Sequence, residues 1–217
     1  MFAVRMATMV LALLSTGLVA GVFFAYAISV MPALARTSDR TLIEVMQKVN
    51  IVIINPWFMF AFMGTVGFTA LAAALHLGGD HRTTLIWIGI ALALSVIAFA
   101  VTAALNVPLN EALDAAGDPA AIADTAAVRA DYESAWVRWN IARTVLTTAS
   151  FLVLCGAMFV AGVQHGKSAD AAAGLDVSQP SGQVYAQHGG PVAGQQFSQQ
   201  SAAPVAGAPY RSQHRGR

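Results

Sequence analysis

The chain has little charge for its length. Charged residues make up 11% and hydrophobic residues 57% of its 217 residues, and the mean hydropathy is +0.61. Since an average soluble domain is about 25% charged and roughly 45–50% apolar, this composition excludes an ordinary soluble globular domain. It also excludes a chain that is mainly disordered, because such chains have low hydrophobicity.

The chain also has little cysteine and almost no excess of positive or negative charge. Cys155 is the single cysteine, which excludes a disulfide framework and a Cys-based zinc site within one chain. The 12 Lys and Arg against 11 Asp and Glu give a net charge of +1, so we expect no nucleic-acid partner. The sequence contains no phosphate-binding loop, dinucleotide fingerprint or nucleophile elbow.

Long runs without charge are what the chain has instead. Four runs that are also strongly apolar cover residues 6–35, 49–79, 83–110 and 144–166. A bilayer core is crossed by about 20 apolar residues, and a chain that crosses it must be helical to satisfy its backbone hydrogen bonds. We therefore predict an all-α integral membrane protein, a four-helix transmembrane bundle in a bacterial-type plasma membrane, with spans at 7–33, 56–77, 84–106 and 142–165.

The first run also resembles a signal peptide, but it is far longer than the roughly 7–15 apolar residues of such a segment, so we expect a retained helix. Lys and Arg divide six against six between the two sides of the membrane. We therefore predict no membrane orientation from the positive-inside rule.

The links between the spans contain further helix signals. The first link carries Thr41-Leu-Ile-Glu44, a capping box that predicts the start of an amphipathic helix. We expect Pro32 to end the first span. In the third link we expect a short helix from Pro108, and a second helix that starts at Asp118-Pro119 and continues into the fourth span.

The C-terminal segment differs from the rest in composition. It is rich in Gly, Ala, Gln, Ser and Pro, which bury too little apolar surface to fold. We predict a transmembrane domain over 1–166 and a disordered tail over 167–217.

Polar and aromatic residues gather at one end of the predicted bundle. Four antiparallel spans bring together the end of helix 1, the start of helix 2, the end of helix 3 and the start of helix 4. The candidate site residues at this end are Asn50, Asn55, Trp57, Asn106, Asn110, Trp136, Trp139, Asn140 and Arg143. Ligand sites commonly lie between bundle helices, so we expect a binding pocket here.

Arg143 is the strongest single signal among them. It shares a helix face with Trp139 at i, i+4 and with Asn140 at i, i+3, and an arginine in a membrane span indicates function by default. Two structural alternatives stay open: Arg143 reaches the lipid headgroups, or it pairs with a carboxylate such as Glu111.

The other unusual residues also have structural readings. The tryptophans are typical of the aromatic belt at a membrane interface. His76, His81 and His165 fall at span ends, without the carboxylate pattern of a metal site, so we predict no metal and no haem. Gly17 and Gly21 form a GxxxG pattern, which favours close packing within the bundle or, alternatively, a homodimer.

Five short motifs together resemble a known family. They are Gly21-Val-Phe-Phe-Ala-Tyr, Val30-Met-Pro-Ala-Leu34, Asn50 with Ile54-Asn-Pro-Trp-Phe58, Asn106-Val-Pro-Leu-Asn110, and Trp136-Val-Arg-Trp-Asn140 followed by Arg143-Thr144. In this order and spacing, over about residues 10–165, the chain resembles the anthrone oxygenase family of small four-helix membrane proteins. The resemblance implies oxidation of an anthrone to an anthraquinone by O2, with no metal or flavin cofactor.

The resemblance gives the polar residues hypothetical roles. Trp57, Trp136 and Trp139, with Asn50 and Asn55, would hold a hydrophobic aromatic molecule. Arg143, Asn140, Asn106 and Asn110 would stabilise its oxyanion, with Glu111 or a water as base.

Three other functions stay open. The first is a non-catalytic membrane accessory or binding protein, because a shared fold does not secure a shared reaction. The second is a haem-bearing redox protein, and the least favoured is a transporter.

Overall fold

The computed structural model describes residues 1–78 and 81–177, and its regular elements there are all helical. The α-helices in chain order are α1 (Phe2–Ala25), α2 (Met31–Leu34), α3 (Asp39–Val52), α4 (Pro56–Leu75), α5 (Arg82–Val101), α6 (Val107–Ala115) and α7 (Thr125–Val177). Two π-helical turns join consecutive helices without a break. The first π-turn, Tyr26–Val30, joins α1 to α2, and the second π-turn, Thr102–Asn106, joins α5 to α6.

Four helical stretches are long and apolar enough to cross a bilayer. They are Phe2–Leu34, Pro56–Leu75, Arg82–Ala115 and Thr125–Ala172. The prediction of an all-α, four-span integral membrane protein is confirmed. Three of the stretches are much longer than the about 20 residues that a bilayer core requires, so their ends extend beyond the hydrocarbon.

The two π-turns correct the predicted ends of helices 1 and 3. Pro32 does not end the first span, and the short helix predicted from Pro108 begins at Val107 and continues directly from the second π-turn. Each proline instead occupies the first turn of the short helix that follows a π-turn. A proline lacks the N–H for an i→i−4 bond, and its ring crowds the carbonyl of that turn. The wider π-turn just before it changes the local hydrogen-bond register, so the helix passes through the proline.

Two predicted helix starts also move. α3 begins earlier than the Thr41 capping box predicts, because the Ser38 hydroxyl accepts from the N–H of Thr41 at 3.2 Å and caps the helix. α7 begins at Thr125 rather than at Asp118-Pro119. The Asp118 carboxylate accepts from the N–H of Ala120 at 2.9 Å and forms a local turn. The Asp124 carboxylate accepts from the N–H of Ala127 at 2.9 Å instead.

The two long links form a packed cap over one end of the bundle. Leu42, Ile43 and Met46 of α3 are fully buried. They pack with a cluster from α2, α6 and α7 that consists of Met31, Leu34, Leu113, Tyr132 and Trp136. Fully burying one such aliphatic side chain contributes about 1.5–3 kcal/mol, so α3 is held firmly on the cap.

A cationic contact fixes this cap to α7. The guanidinium of Arg129 donates to the carboxylates of Asp39 at 2.9 Å and Glu133 at 2.6 Å. It also donates to the carbonyls of Ala35 and Thr37, each at 3.0 Å. The link between α2 and α3 is therefore tied directly to α7.

Small and hydroxyl-bearing residues pack the interior of the bundle. The Ser95 and Ser150 hydroxyls lie 2.9 Å apart, and Ser150 also donates to the carbonyl of Ala91 at 2.9 Å, which joins α5 to α7. A Cβ on Gly64 of α4 would lie 2.6 Å from the Ser15 hydroxyl of α1. Close helix approach through small residues is typical of membrane bundles.

The predicted C-terminal boundary falls within a helix. α7 continues past Lys167 to Val177, so the first residues of the predicted tail are helical. The rest of the predicted disordered tail, 178–217, lies outside the described residues.

Candidate functional site

A cavity of about 260 Å³ lies at the capped end of the bundle, between α3 and the spanning helices. Its lining residues are Val22, Phe23, Tyr26, Val49, Asn50, Ile53, Ile54, Phe58, Met59, Phe62, Thr102, Val107, Asn110, Trp136, Asn140 and Arg143. Ligand pockets generally measure roughly 300–1,000 Å³ and are mostly apolar with a few polar groups. This cavity is near the lower limit and suits one small molecule.

Arg143 points into the bundle. It is only 6% exposed, and its guanidinium carbon lies 4.1 Å from the ring centre of Phe23 and 5.6 Å from that of Trp136. Both distances are within the about 6 Å range of cation–π attraction. The side chain therefore does not reach the headgroups, which was one alternative for it.

The pairing alternative for Arg143 is not observed either. Glu111 is exposed on α6, and none of the ion pairs among the described residues includes Arg143. The described lining residues include no carboxylate. A buried cation without a counter-ion is costly, so this end of the cavity favours a ligand that carries an oxygen acceptor or a negative charge.

Asn140 holds the guanidinium in place from within α7. Its side-chain oxygen accepts from Arg143 Nη2 at 3.0 Å, and its side-chain nitrogen donates to the Phe23 carbonyl at 3.0 Å. Asn140 is 1% exposed, so both bonds are shielded from water. The amide thus links α7 to the end of α1 and fixes one edge of Arg143.

Asn110 is a shared acceptor on α6. Its side-chain oxygen accepts from Trp136 Nε1 at 2.9 Å and from the Tyr132 hydroxyl at 3.1 Å. The first of these bonds holds the indole of Trp136, which lines the cavity and has its ring centre 5.6 Å from the guanidinium carbon of Arg143. Asn110 acts on the cavity wall through this network as well as by direct contact.

Three buried polar atoms near this end have no hydrogen-bond partner among the described residues. They are Arg143 Nε, Asn50 Nδ2 and Asn106 Oδ1. Arg143 and Asn50 line the cavity, and leaving a buried donor unpaired costs about 1–3 kcal/mol. Two unpaired donors at one cavity favour a ligand that carries acceptor oxygens.

Asn106 has a different position. It is 1% exposed, and its side-chain nitrogen donates to the Trp136 carbonyl at 3.4 Å. It does not line the cavity, so its contribution is to join the second π-turn to α7.

Three of the predicted substrate-binding residues lie outside the cavity lining, which corrects their placement. Asn55 caps α4, where its side-chain oxygen accepts from the N–H groups of Trp57 and Phe58, each at 3.1 Å. Trp57 is 86% exposed, because the first turn of α4 directs it away from the bundle. Trp139 of α7 is also absent from the lining, and the guanidinium carbon of Arg138 is 5.6 Å from its ring centre.

The structure adds lining residues that the sequence did not single out. Phe23 stacks against the guanidinium, and Tyr26 and Thr102 contribute the hydroxyls of the lining. Tyr26 and Thr102 each begin a π-turn, and π-turns are frequent at functional sites. A proline six residues after each of them, Pro32 and Pro108, was the available sequence signal.

A row of phenylalanines borders the cavity between α4 and α5. The rings of Phe58 and Phe62 stack with centres 5.6 Å apart, and those of Phe62 and Phe99 stack at 5.2 Å. Such offset aromatic contacts extend readily to another flat ring. The cavity therefore combines a cationic end with a flat aromatic side.

Comparison with known proteins finds a family model that matches part of the chain. Residues 57–153 match the model of the family described as anthrone oxygenase. The matched segment includes the Asn-Val-Pro-Leu-Asn and Trp-Asn motifs with Arg143, and the resemblance inferred from the motifs is confirmed. Neither the curated proteins nor the solved structures contain a match.

Proposed function

We propose that the chain, of which residues 57–153 match the anthrone oxygenase family model, is a membrane-embedded oxygenase for anthrone-like aromatic molecules. The reaction consumes one anthrone and one O2 and releases one quinone and one water. The observation that carries the proposal is the buried Arg143, which borders the cavity without a carboxylate partner among the described residues.

The substrate matches the two ends of the cavity. Its flat rings pack against Trp136, Phe58 and Phe62, and its carbonyl oxygen faces the guanidinium. Arg143 Nε and Asn50 Nδ2 are the donors that lack partners in the described structure, and they supply hydrogen bonds to that oxygen. Asn140 keeps the guanidinium from turning away.

Positive charge at the carbonyl end promotes the first step. When the methylene carbon of an anthrone loses a proton, the electron pair moves through the ring to the carbonyl oxygen. A preorganised cation stabilises that oxyanion strongly in a site of low polarity. Since the described lining offers no carboxylate, a water molecule takes the proton.

The electron-rich anion then reacts with O2. It gives one electron to O2, and the two radicals combine to form a carbon–oxygen bond at the former methylene carbon. The outer peroxide oxygen takes up a proton, and the hydroperoxide loses water. This loss breaks the O–O bond and the remaining C–H bond and leaves the new quinone carbonyl.

Turnover of an anthrone in air tests the proposal. The protein is reconstituted in phosphatidylcholine vesicles with emodin anthrone, and quinone absorbance is followed together with oxygen uptake. We expect Arg143→Ala to lower the rate above autoxidation by about 10²–10³-fold, the usual effect of removing an oxyanion donor. Arg138→Ala is the matched control, because Arg138 lies on the same helix but outside the cavity lining.

Equal rates for the wild type and Arg143→Ala, with both proteins folded, would contradict the oxygenase role. The non-catalytic binding protein would then be the better account of the same cavity.

A further inference from the structure

The rim of the cavity is apolar and exposed. Ile54, in the link between α3 and α4, lines the cavity and yet is 71% exposed. Val107, at the start of α6, also lines it and is 39% exposed. A side chain that both lines a cavity and is exposed marks its opening, so the cavity opens between the start of α4 and the second π-turn.

The surroundings of this opening are those of a lipid-facing surface. Ile51 and Val52 are 67% and 71% exposed, and Trp57 is 86% exposed. Further along α4, Phe60 is 61% exposed. Contiguous exposed apolar side chains on a membrane protein face the hydrocarbon, and an exposed tryptophan at a span end is typical of the interface.

The opening lies beside the ends of two candidate membrane spans. Phe58 and Met59 belong to the stretch Pro56–Leu75, and Val107 belongs to Arg82–Ala115. Deeper in the bilayer, the stacked rings of Phe62 and Phe99 close the seam between α4 and α5. The open part of the seam is therefore near the interface, directly beneath the end of α3.

We infer that the cavity takes up its substrate sideways from the bilayer, through an opening between Ile54 and Val107. The inference rests on the proposed function for the identity of the substrate, an uncharged molecule of fused aromatic rings. Such a molecule concentrates in lipid because water disfavours its apolar surface. It moves past the apolar side chains of the opening and the Phe58–Phe62 stack toward the unpaired donors of Asn50 and Arg143.

A blocking variant with a matched control tests this route. Ile54→Trp enlarges a side chain at the opening, whereas Ile51→Trp makes the same change at a similarly exposed position outside the lining. The probe is anthracene, which has neither a carbonyl nor an acidic methylene, so its binding does not depend on any oxygenase activity. Anthracene is excited at wavelengths longer than those that tryptophan absorbs, and its binding is followed by fluorescence anisotropy.

The decisive probe is anthracene fixed to a short acyl chain of a phospholipid, which stays in the bilayer and holds the rings near the interface. We expect this tethered anthracene to bind the wild type and Ile51→Trp. We expect Ile54→Trp to slow its binding about tenfold or more, as crowding at a narrow opening should.

Three results would overturn the inference. They are absence of anthracene binding to the wild type, binding of free but not tethered anthracene, and equal slowing in the two variants. If the tethered probe behaves as expected while no anthrone is oxidised, the lateral opening stands and the oxygenase proposal fails by itself.

Discussion

The side-chain oxygen of Asn140 accepts a 3.0 Å hydrogen bond from the guanidinium of Arg143, one turn further along α7. The nitrogen of the same amide donates to the Phe23 carbonyl, at the end of α1 just before the first π-turn. Phe23 in turn presents its ring to the guanidinium at 4.1 Å. A closed set of contacts among three residues thus fixes a buried cation at the cavity.

Asn140→Ala tests whether Asn140 orients Arg143 for turnover or only stabilises the fold. The change leaves the guanidinium without its fixed partner, and we expect at least about a tenfold loss of anthrone turnover. It also leaves the Phe23 carbonyl without its donor from α7, which should cost about 1–3 kcal/mol of stability. Turnover per folded molecule and thermal unfolding in detergent are measured together.

Asn55→Ala is the control for that experiment. Asn55 caps α4, so its loss should cost about 1 kcal/mol of stability and leave turnover per folded molecule unchanged. A similar loss of turnover in both variants would show that Asn140 acts only on stability.

Substitutions of Trp136 and Trp57 should have different effects, because only Trp136 lines the cavity. Trp136→Phe keeps an aromatic ring but removes the donor to Asn110, and we expect a loss of about 0.5–1.5 kcal/mol and a higher KM for the anthrone. Trp57→Phe changes a residue that is 86% exposed, so stability should stay within about 0.5 kcal/mol and KM should not move. A KM effect at Trp57 alone would argue against the cavity as the binding site.

Glycine substitutions test the packing of α1 against α4. A Cβ on Gly64 would lie 2.6 Å from the Ser15 hydroxyl and 2.9 Å from a ring carbon of Phe68. We expect Gly64→Ala to destabilise the protein by about 1–3 kcal/mol through overpacking. A Cβ on Gly67 meets no described atom within 4 Å, so Gly67→Ala should be neutral or slightly stabilising. Equal melting temperatures for the two variants would contradict the packing.

Stability should fall in mild acid through His76, which follows α4 and is 2% exposed. Burial lowers the pKa of His76 below its ordinary value of 6.5; the charges of Arg5 and His81 lower it further, and the hydrogen bond to the Ala72 carbonyl opposes them. The folded protein therefore binds this proton less readily than the unfolded chain. The contribution is fully present above pH 6.5 and is lost as the pH falls from there toward the lowered pKa.

The check is thermal unfolding in detergent as a function of pH. His76→Gln should make the melting temperature less dependent on pH below 6.5 than it is in the wild type. His165→Gln is the control, because His165 is exposed and stacks on Phe2. An unchanged pH dependence in His76→Gln would refute the assignment.

The sequence was sufficient for the spans because lipid leaves the backbone no alternative to helix. The same argument brought Asn140, Asn106 and Arg143 to one end of the bundle, since topology alone determines which span ends meet. The sequence did not show whether Arg143 faces the interior of the bundle. A position on a helix fixes the direction of a side chain around that helix only, and the sequence does not show how the neighbouring helices pack against it.

The misplacements have specific physical causes. Trp57 and Trp139 have the same residue type as Trp136, and only the packing around each helix separates the lining indole from the two outside it. Pro32 and Pro108 suggested helix ends, whereas a π-turn before each lets the helix continue. Those turns carry Tyr26 and Thr102 into the lining, which no periodicity in the sequence could indicate.

The central claim is that Arg143 directs transfer of oxygen from O2 to an anthrone, and isotopic labelling tests it most directly. Wild-type and Arg143→Ala proteins in vesicles are given emodin anthrone under ¹⁸O2, and the initial rate of labelled quinone formation is measured by mass spectrometry. We predict one ¹⁸O atom in each quinone and, after subtraction of autoxidation, a wild-type rate about 10²–10³ times that of Arg143→Ala. Quinone that lacks the label, or a labelled rate that is the same in both proteins, would contradict the account.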